Sequence, residues 1–235
     1  MEQSVDLKKE QRASRARPHY RYSVAARLFF GAMDVLAGPE TTLAKVRLLE
    51  ALAPIPYRAW ENRQHARMAL RYDDRELVER GSVLVRWGRE AQDNEYWHLL
   101  VVHEKLREDS GREPRYMIRP LPYLMVASYA LMMRTMARVA LRRSFLLNAE
   151  FEDHSEHVYA ELVDHHPEWE MQPVTSGLVQ QYGSFESWAD VFRRIGLDER
   201  NHMNNSFIFA GRPESVVTYE GMPESEAEGP GSLAV

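Results

Sequence analysis

Apolar residues recur at three- and four-residue steps along most of this chain, the period of an amphipathic helix, and no series of alternating strand-length runs interrupts them. A first stretch covers about 20–37, with Val24, Leu28, Phe29, Met33 and Leu36, and Gly38-Pro39 ends it. A second begins near Thr41 and carries Leu43, Val46, Leu49, Glu50 and Ala53. Pro54 and Pro56 follow within it and cannot donate to the carbonyls of Glu50 and Leu52, which predicts a bend or loosening beside Glu50. Long helices are predicted over about 74–108, 121–140, 143–165 and 184–208. A Gly/Pro-rich connection at 109–122 and an irregular crossover at 167–183 join them. The polar residues 1–18, with Lys8, Lys9, Arg12, Arg15 and Arg17, read as a flexible basic arm, and the Gly, Pro, Ser and Glu of 211–235 as a disordered acidic tail. The expected class is all-α, with one helical domain over 19–210.

Composition narrows the chemistry. The 44% hydrophobic content supports a sizeable core, and a net charge of −5 gives no reason to expect a nucleic-acid partner. No Cys is present, which removes disulfides, thiolate metal sites and Cys nucleophiles together. His and carboxylates remain as metal ligands, a donor set that favours iron or manganese over structural zinc. The first residues carry Glu2, Asp6 and Glu10 and lack an apolar core, so neither a signal nor a transit peptide is expected.

Two Glu-x-x-His steps stand out, Glu95-Tyr-Trp-His98 and Glu199-Arg-Asn-His202. Each places a carboxylate and an imidazole on one helix face. About one such step is expected by chance in a chain this rich in Glu, so the pair counts only through its surroundings. In carboxylate-bridged di-iron bundles two such helices supply half the ligands, and a lone Glu from each of two further helices supplies the rest. Glu50 sits in the apolar run 46–53, where a charge is costly unless it is paired or binds metal. Glu152 lies among Leu146, Leu147, Ala149 and Phe151, in competition with Glu150, Glu156, His154 and His157.

These segments resemble the alternative oxidase family, including its plastid terminal oxidase branch, over about 40–207. Leu49-Glu50-Ala51-Leu52-Ala53-Pro54-Ile55-Pro56-Tyr57 is similar to the family's Leu-Glu-Thr-x-Ala-x-Val-Pro segment, with the Pro-Tyr ending of the plastid branch. Asn94-Glu95-Tyr96-Trp97-His98-Leu99 and Asp198-Glu199-Arg200-Asn201-His202 resemble its Asn-Glu-x-x-His-Leu and Asp-Glu-x-x-His blocks. Glu152 is followed five and seven residues later by His157 and Tyr159, as in the family. The resemblance implies a ferritin-like four-helix bundle and two iron ions held by Glu50, Glu95, His98, Glu152, Glu199 and His202. It implies that Tyr159 takes part in catalysis and that Asn94, Asp198 and His157 support the ligands from behind. The implied reaction is non-proton-pumping reduction of dioxygen to water with electrons from membrane quinol. A di-iron oxygenase acting on an organic substrate is the alternative. The chain departs from the family pattern at Gly196, where an Arg is usual, and at Asp153-His154-Ser155.

Residues 120–133 are uncharged between Arg119 and Arg134, too short to span a bilayer, and Arg138, Arg142 and Arg143 follow. With the first stretch (Arg21, Arg27, Phe29, Phe30), this pattern suits helices lying in a membrane interface. By composition alone a buried core helix fits as well. The resemblance implies monotopic attachment to anionic lipid on the cytoplasmic face of a membrane, a bacterial inner membrane, as a homodimer.

Overall fold

The computed structural model describes residues 5–109 and 120–222, and among these every regular element is helical. The chain runs through α1 (Leu7–Ala16), α2 (Val24–Ala37), α3 (Leu43–Leu52), α4 (Pro54–Leu70) and α5 (Arg75–Glu108). It continues through α6 (Leu121–Val139), α7 (Leu141–His165), α8 (Val179–Tyr182) and α9 (Trp188–Phe209), with short 3-10 turns at Pro167–Glu170 and Pro213–Ser215. The side chains of Ser23, Thr42, Asp74 and Ser187 accept from amides in the first turns of α2, α3, α5 and α9, which sets where those helices begin.

The bend expected beside Glu50 falls at Ala53, the turn between α3 and α4. Ala53 keeps helical angles (φ −52°, ψ −42°), and Pro54 opens α4 without needing a donor. Leu49 and Leu52 are fully buried. Burial of each contributes about 2 kcal/mol, which holds this short interrupted helix in the core. Helix α3 packs on α5 and α7, and α9 packs on the same two, so four helices close a ring. Helices α4 and α6 extend the packing on one side, with Trp60 and Phe145 buried beneath them.

The segment expected to be a loose arm is a helix. Asp6 caps α1 by accepting from the Lys9 amide, 3.0 Å, and Glu10 and Ser14 are buried. The reason lies in buried charges elsewhere. Arg200 donates to Glu10 (2.5 Å), Glu156 (2.9 Å) and Ser14 (2.9 Å). Arg17 bonds Asp153 and Glu156, 2.5 Å each. These partners are distant in sequence, so composition around 1–18 carried no trace of them. The start of the expected acidic tail is also packed: Asn204 exchanges two hydrogen bonds with the Val217 backbone (2.8 and 2.9 Å), and Tyr20 donates to the Ser215 carbonyl, 2.5 Å. Residues 223–235 of that tail, and 110–119 of the expected connection, lie outside the described residues.

Helix α6 is not a core helix. Tyr129, Met133 and Ala137 face inward while Tyr123, Leu124 and Leu131 are exposed. Helix α2 likewise buries Ala26, Phe30 and Met33 and exposes Val24, Leu28 and Val35. Among the described residues no helix is long and apolar enough to cross a membrane.

Candidate metal centre

The ring of α3, α5, α7 and α9 carries the two Glu-x-x-His steps and the two lone glutamates into one place. Glu50, Glu95, His98, Glu152, Glu199 and His202 are all buried. Their side-chain donors form two overlapping groups, Glu50–Glu95–His98–Glu199 and Glu95–Glu152–Glu199–His202, each with ligand atoms within 4.8 Å of one another. Glu95 and Glu199 belong to both. His98 Nδ1 lies 3.0 Å from Glu199, 3.4 Å from Glu95 and 3.7 Å from Glu50. His202 Nδ1 lies 2.7 Å from Glu95 and 3.7 Å from Glu199.

These close carboxylate–imidazole pairs converge on common points and leave many donor atoms without a well-aligned hydrogen bond. Glu50 Oε2, both oxygens of Glu95, His98 Nδ1, Glu152 Oε2, both oxygens of Glu199 and His202 Nδ1 are buried with no hydrogen-bond partner. Buried polar atoms are rarely left so, because each costs about 1–3 kcal/mol, more when charged. One such atom in a core is a defect; several facing one another could hold a cation. The donor set of hard oxygens and imidazoles, without sulfur, fits a metal ion in each group.

The titration directions follow from this crowding. Burial raises Glu50, and Glu199 and Glu95 push it further. Burial raises Glu152 too, with Glu95 and Glu199 adding to it. Burial also opposes charge on Glu95, but the imidazoles of His202 and His98 outweigh it and hold this carboxyl below its usual range. Burial works against charge on His98 and His202 as well; the Tyr182 hydroxyl with the Asp198 and Glu199 carboxylates around His98, and the Glu95 and Glu199 carboxylates around His202, outweigh it and raise both. Bringing in a cation would displace these protons.

Each lone glutamate is held by a phenol. Tyr159 donates to Glu50 Oε1 at 2.5 Å, and Tyr57 donates to Glu152 Oε1 at 2.6 Å. Asn148 also donates to Glu152 Oε1, 2.9 Å, and reaches the Tyr57 and Ser206 hydroxyls. Each glutamate thus keeps one tethered oxygen and one free oxygen, Oε2, for the centre. Asp198 faces His98 Nε2 at 3.5 Å and accepts from Tyr182 (2.6 Å), Asn94 (3.4 Å) and Arg194. This fixes the imidazole with Nδ1 inward.

Asn94 and Asp198 thus lie behind the candidate ligand His98. His157 does not. Its Nδ1 lies 2.7 Å from the Asp153 carbonyl and its Nε2 2.9 Å from that of Arg17, so it ties α7 to the α1–α2 connection instead of supporting a ligand. Five residues from Glu152 is a rotation of about 140° on a helix, well off its face. The competitors of Glu152 are also spent elsewhere. Glu150 accepts from Ser23 at the start of α2, Glu156 pairs with Arg17 and Arg200, and His154 stacks on Phe30 at 4.0 Å.

Tyr57, Asn148 and Tyr182 were not singled out from sequence. Asn148 lies four residues before Glu152, so helical spacing alone marks it as a same-face neighbour, whereas Tyr57 follows the break at Ala53 and meets Glu152 only through packing. Tyr182 comes from the crossover, where no periodicity could flag it. At Gly196 a side chain would bring its Cβ to 3.3 Å from Tyr159 Cβ and 3.7 Å from the Glu156 carbonyl. Glycine there lets α9 lie close on α7 beside the tyrosine.

No model of a known protein family matches this chain, and no curated protein matches it.

Proposed function

We propose that this chain is a di-iron quinol oxidase built on a ferritin-like bundle, reducing dioxygen to water with electrons taken from a membrane quinol. The observation that carries the metal assignment is the set of unpartnered buried atoms on six residues from four helices, arranged as two groups that share Glu95 and Glu199. The absence of Cys and the four carboxylates favour iron. Two irons there would supply one-electron storage at each metal and a place for dioxygen to bind. Glu50, Glu95, His98 and Glu199 would hold one ion and Glu95, Glu152, Glu199 and His202 the other, and Tyr159 donates its phenolic proton to Glu50 Oε1, poised to give it up.

The quinol reading is supported by α2 and α6. A small apolar cavity of about 50 Å³ lies between them, lined by Phe29, Phe30, Tyr129, Met132, Leu147 and Phe151. The outward apolar residues of both helices, Leu28 and Val35 on α2, Leu124 and Leu131 on α6, provide a face for a membrane interface, and anionic lipid complements the arginines at the end of α6. Assembly as a homodimer is part of the same proposal and rests on the resemblance.

The test is oxygen consumption by the iron-loaded chain in anionic liposomes with several quinols. Quinol-dependent uptake that yields water and quinone supports the oxidase. An organic product gaining one oxygen, with no quinol dependence, replaces it with an oxygenase. Absence of lipid partition at any salt concentration removes the membrane part.

A further inference from the structure

The two phenols at the centre have different surroundings. Behind Tyr159 stands Phe192, with ring centroids 6.1 Å apart, and behind Phe192 stand Trp169 at 4.8 Å and Trp188 at 6.0 Å. Phe192 is the aromatic type hardest to oxidise. The Lys105 ammonium lies 5.2 Å from the Trp169 ring and 5.1 Å from the Trp188 ring. A cation over an indole face favours the neutral ring and opposes removal of an electron from it. An electron deficit on Tyr159 is therefore kept there.

Behind Tyr57 the arrangement is the reverse. Trp87 and Trp60 lie 5.2 and 5.4 Å from its ring, both edge-on. The two indoles stack on each other at 5.6 Å, with 16° between their planes. Tyr57 and Trp60 are fully buried, and Trp87 is only partly so. Three oxidisable rings thus run in direct contact from the hydrogen bond on Glu152 to the protein surface between α4 and α5.

We infer that Tyr57, Trp60 and Trp87 form an electron relay that drains oxidising equivalents from the centre when no quinol is bound. The inference rests on the di-iron reading above. Dioxygen reduction to water takes four electrons, and a reduced metal pair stores two, so without quinol the shortfall must come from the protein. In the step proposed, Tyr57 loses one electron to the centre and its phenolic proton passes to Glu152 Oε1, 2.6 Å away. Trp60 or Trp87 then returns an electron to the Tyr57 phenoxyl while Glu152 returns the proton. The deficit ends as an oxidised indole at Trp87, which releases its Nε1 proton to solvent. A small thiol restores it by giving one electron and one proton, and two of the thiyl radicals so formed join as a disulfide.

The experiment uses the full chain loaded with iron, reduced anaerobically, freed of reductant and exposed to dioxygen without quinol or thiol. Iron content, oxygen uptake and peptide mass spectrometry are read together. Oxygen addition is expected at Trp87 and Trp60 and not at Trp97, which is similarly exposed but off the route. Glutathione added with the oxygen should suppress it. Tyr57→Phe should load iron and lose oxidation at both indoles; Trp87→Phe should raise oxidation at Trp60. Oxidation that is unchanged in Tyr57→Phe, or as strong at Trp97, overturns the relay while iron binding and oxygen uptake leave the di-iron reading standing. Should Tyr57→Phe fail to fold, Trp87→Phe decides, since an unchanged yield at Trp60 overturns the relay. A chain that takes up no iron or no oxygen overturns both.

Discussion

Glu95→Gln offers the sharpest test of the centre, because Glu95 belongs to both ligand groups while Glu50 belongs to one. The substitution keeps the volume and removes the charge. Without metal, Glu95 lies 2.7 Å from His202 and 3.4 Å from His98. Removing one partner of a buried pair costs about 3–5 kcal/mol. Glu199, 3.7 Å from His202 and 3.0 Å from His98, keeps the cost near the lower figure of about 3 kcal/mol. With metal the difference grows. Each ion at about a hundred times its Kd stabilises the native chain by about 2.7 kcal/mol, so two ions add about 5 kcal/mol. For a chain of this size that raises Tm by roughly 10–20 °C. Glu95→Gln should bind neither ion firmly and gain almost none of this rise. Glu50→Gln, which leaves the Glu95–Glu152–Glu199–His202 group intact, should keep one iron and about half of it. Iron content per chain and calorimetry with and without iron read both quantities. Two irons retained in Glu95→Gln, or equal losses in the two variants, would refute the shared-ligand arrangement.

Tyr159→Phe should load iron normally and lose about 1 kcal/mol of stability with the hydroxyl bond to Glu50, while oxygen uptake falls on the order of 100-fold; near-native uptake would return Tyr159 to a packing role. Arg200→Met leaves Glu10 and Glu156 buried without this cation and should cost about 3–5 kcal/mol in urea unfolding, with α1 opened to trypsin at Arg12 and Arg15. A loss under about 1 kcal/mol would show that α1 is held by something else. Asp153 is opposed by burial, but His19, Arg17 and Tyr22 lower its carboxyl from 3.8 to about 2. A depressed carboxyl contributes stability above its unfolded value and loses it as pH falls through the folded one, here about 2 kcal/mol disappearing between about pH 4 and pH 2. The stability gap between the native chain and Asp153→Asn should therefore close over that window, and a gap independent of pH would contradict the pairing.

Spacing along the chain was enough to find the helices that form the ring and the two Glu-x-x-His steps they carry, because a helix converts a three-residue interval into a shared face without help from the rest of the protein; the full set of six was implied only by the family resemblance. The prolines after Glu50 marked the break at Ala53 for the same local reason, a missing amide donor. Local rules ran out where a partner lies far along the chain. Nothing near Glu10 in the sequence shows Arg200, 190 residues away, so a polar segment that reads as a loose arm is a helix in the fold. Choosing among Glu150, Glu152 and Glu156 needed the ring itself: adjacent turns of α7 point them at α2, at the centre and at α1. His157 was misplaced because a motif interval was carried over without its rotation about the helix axis. Tyr57 was visible as a letter, yet its bond to Glu152 exists only because α4 and α7 pack together. The sequence by itself determined which side chains share a helix face. Only the tertiary structure decided which faces meet, because contact between helices depends on crossing geometry and on the burial of distant charges, and neither has a period in the chain.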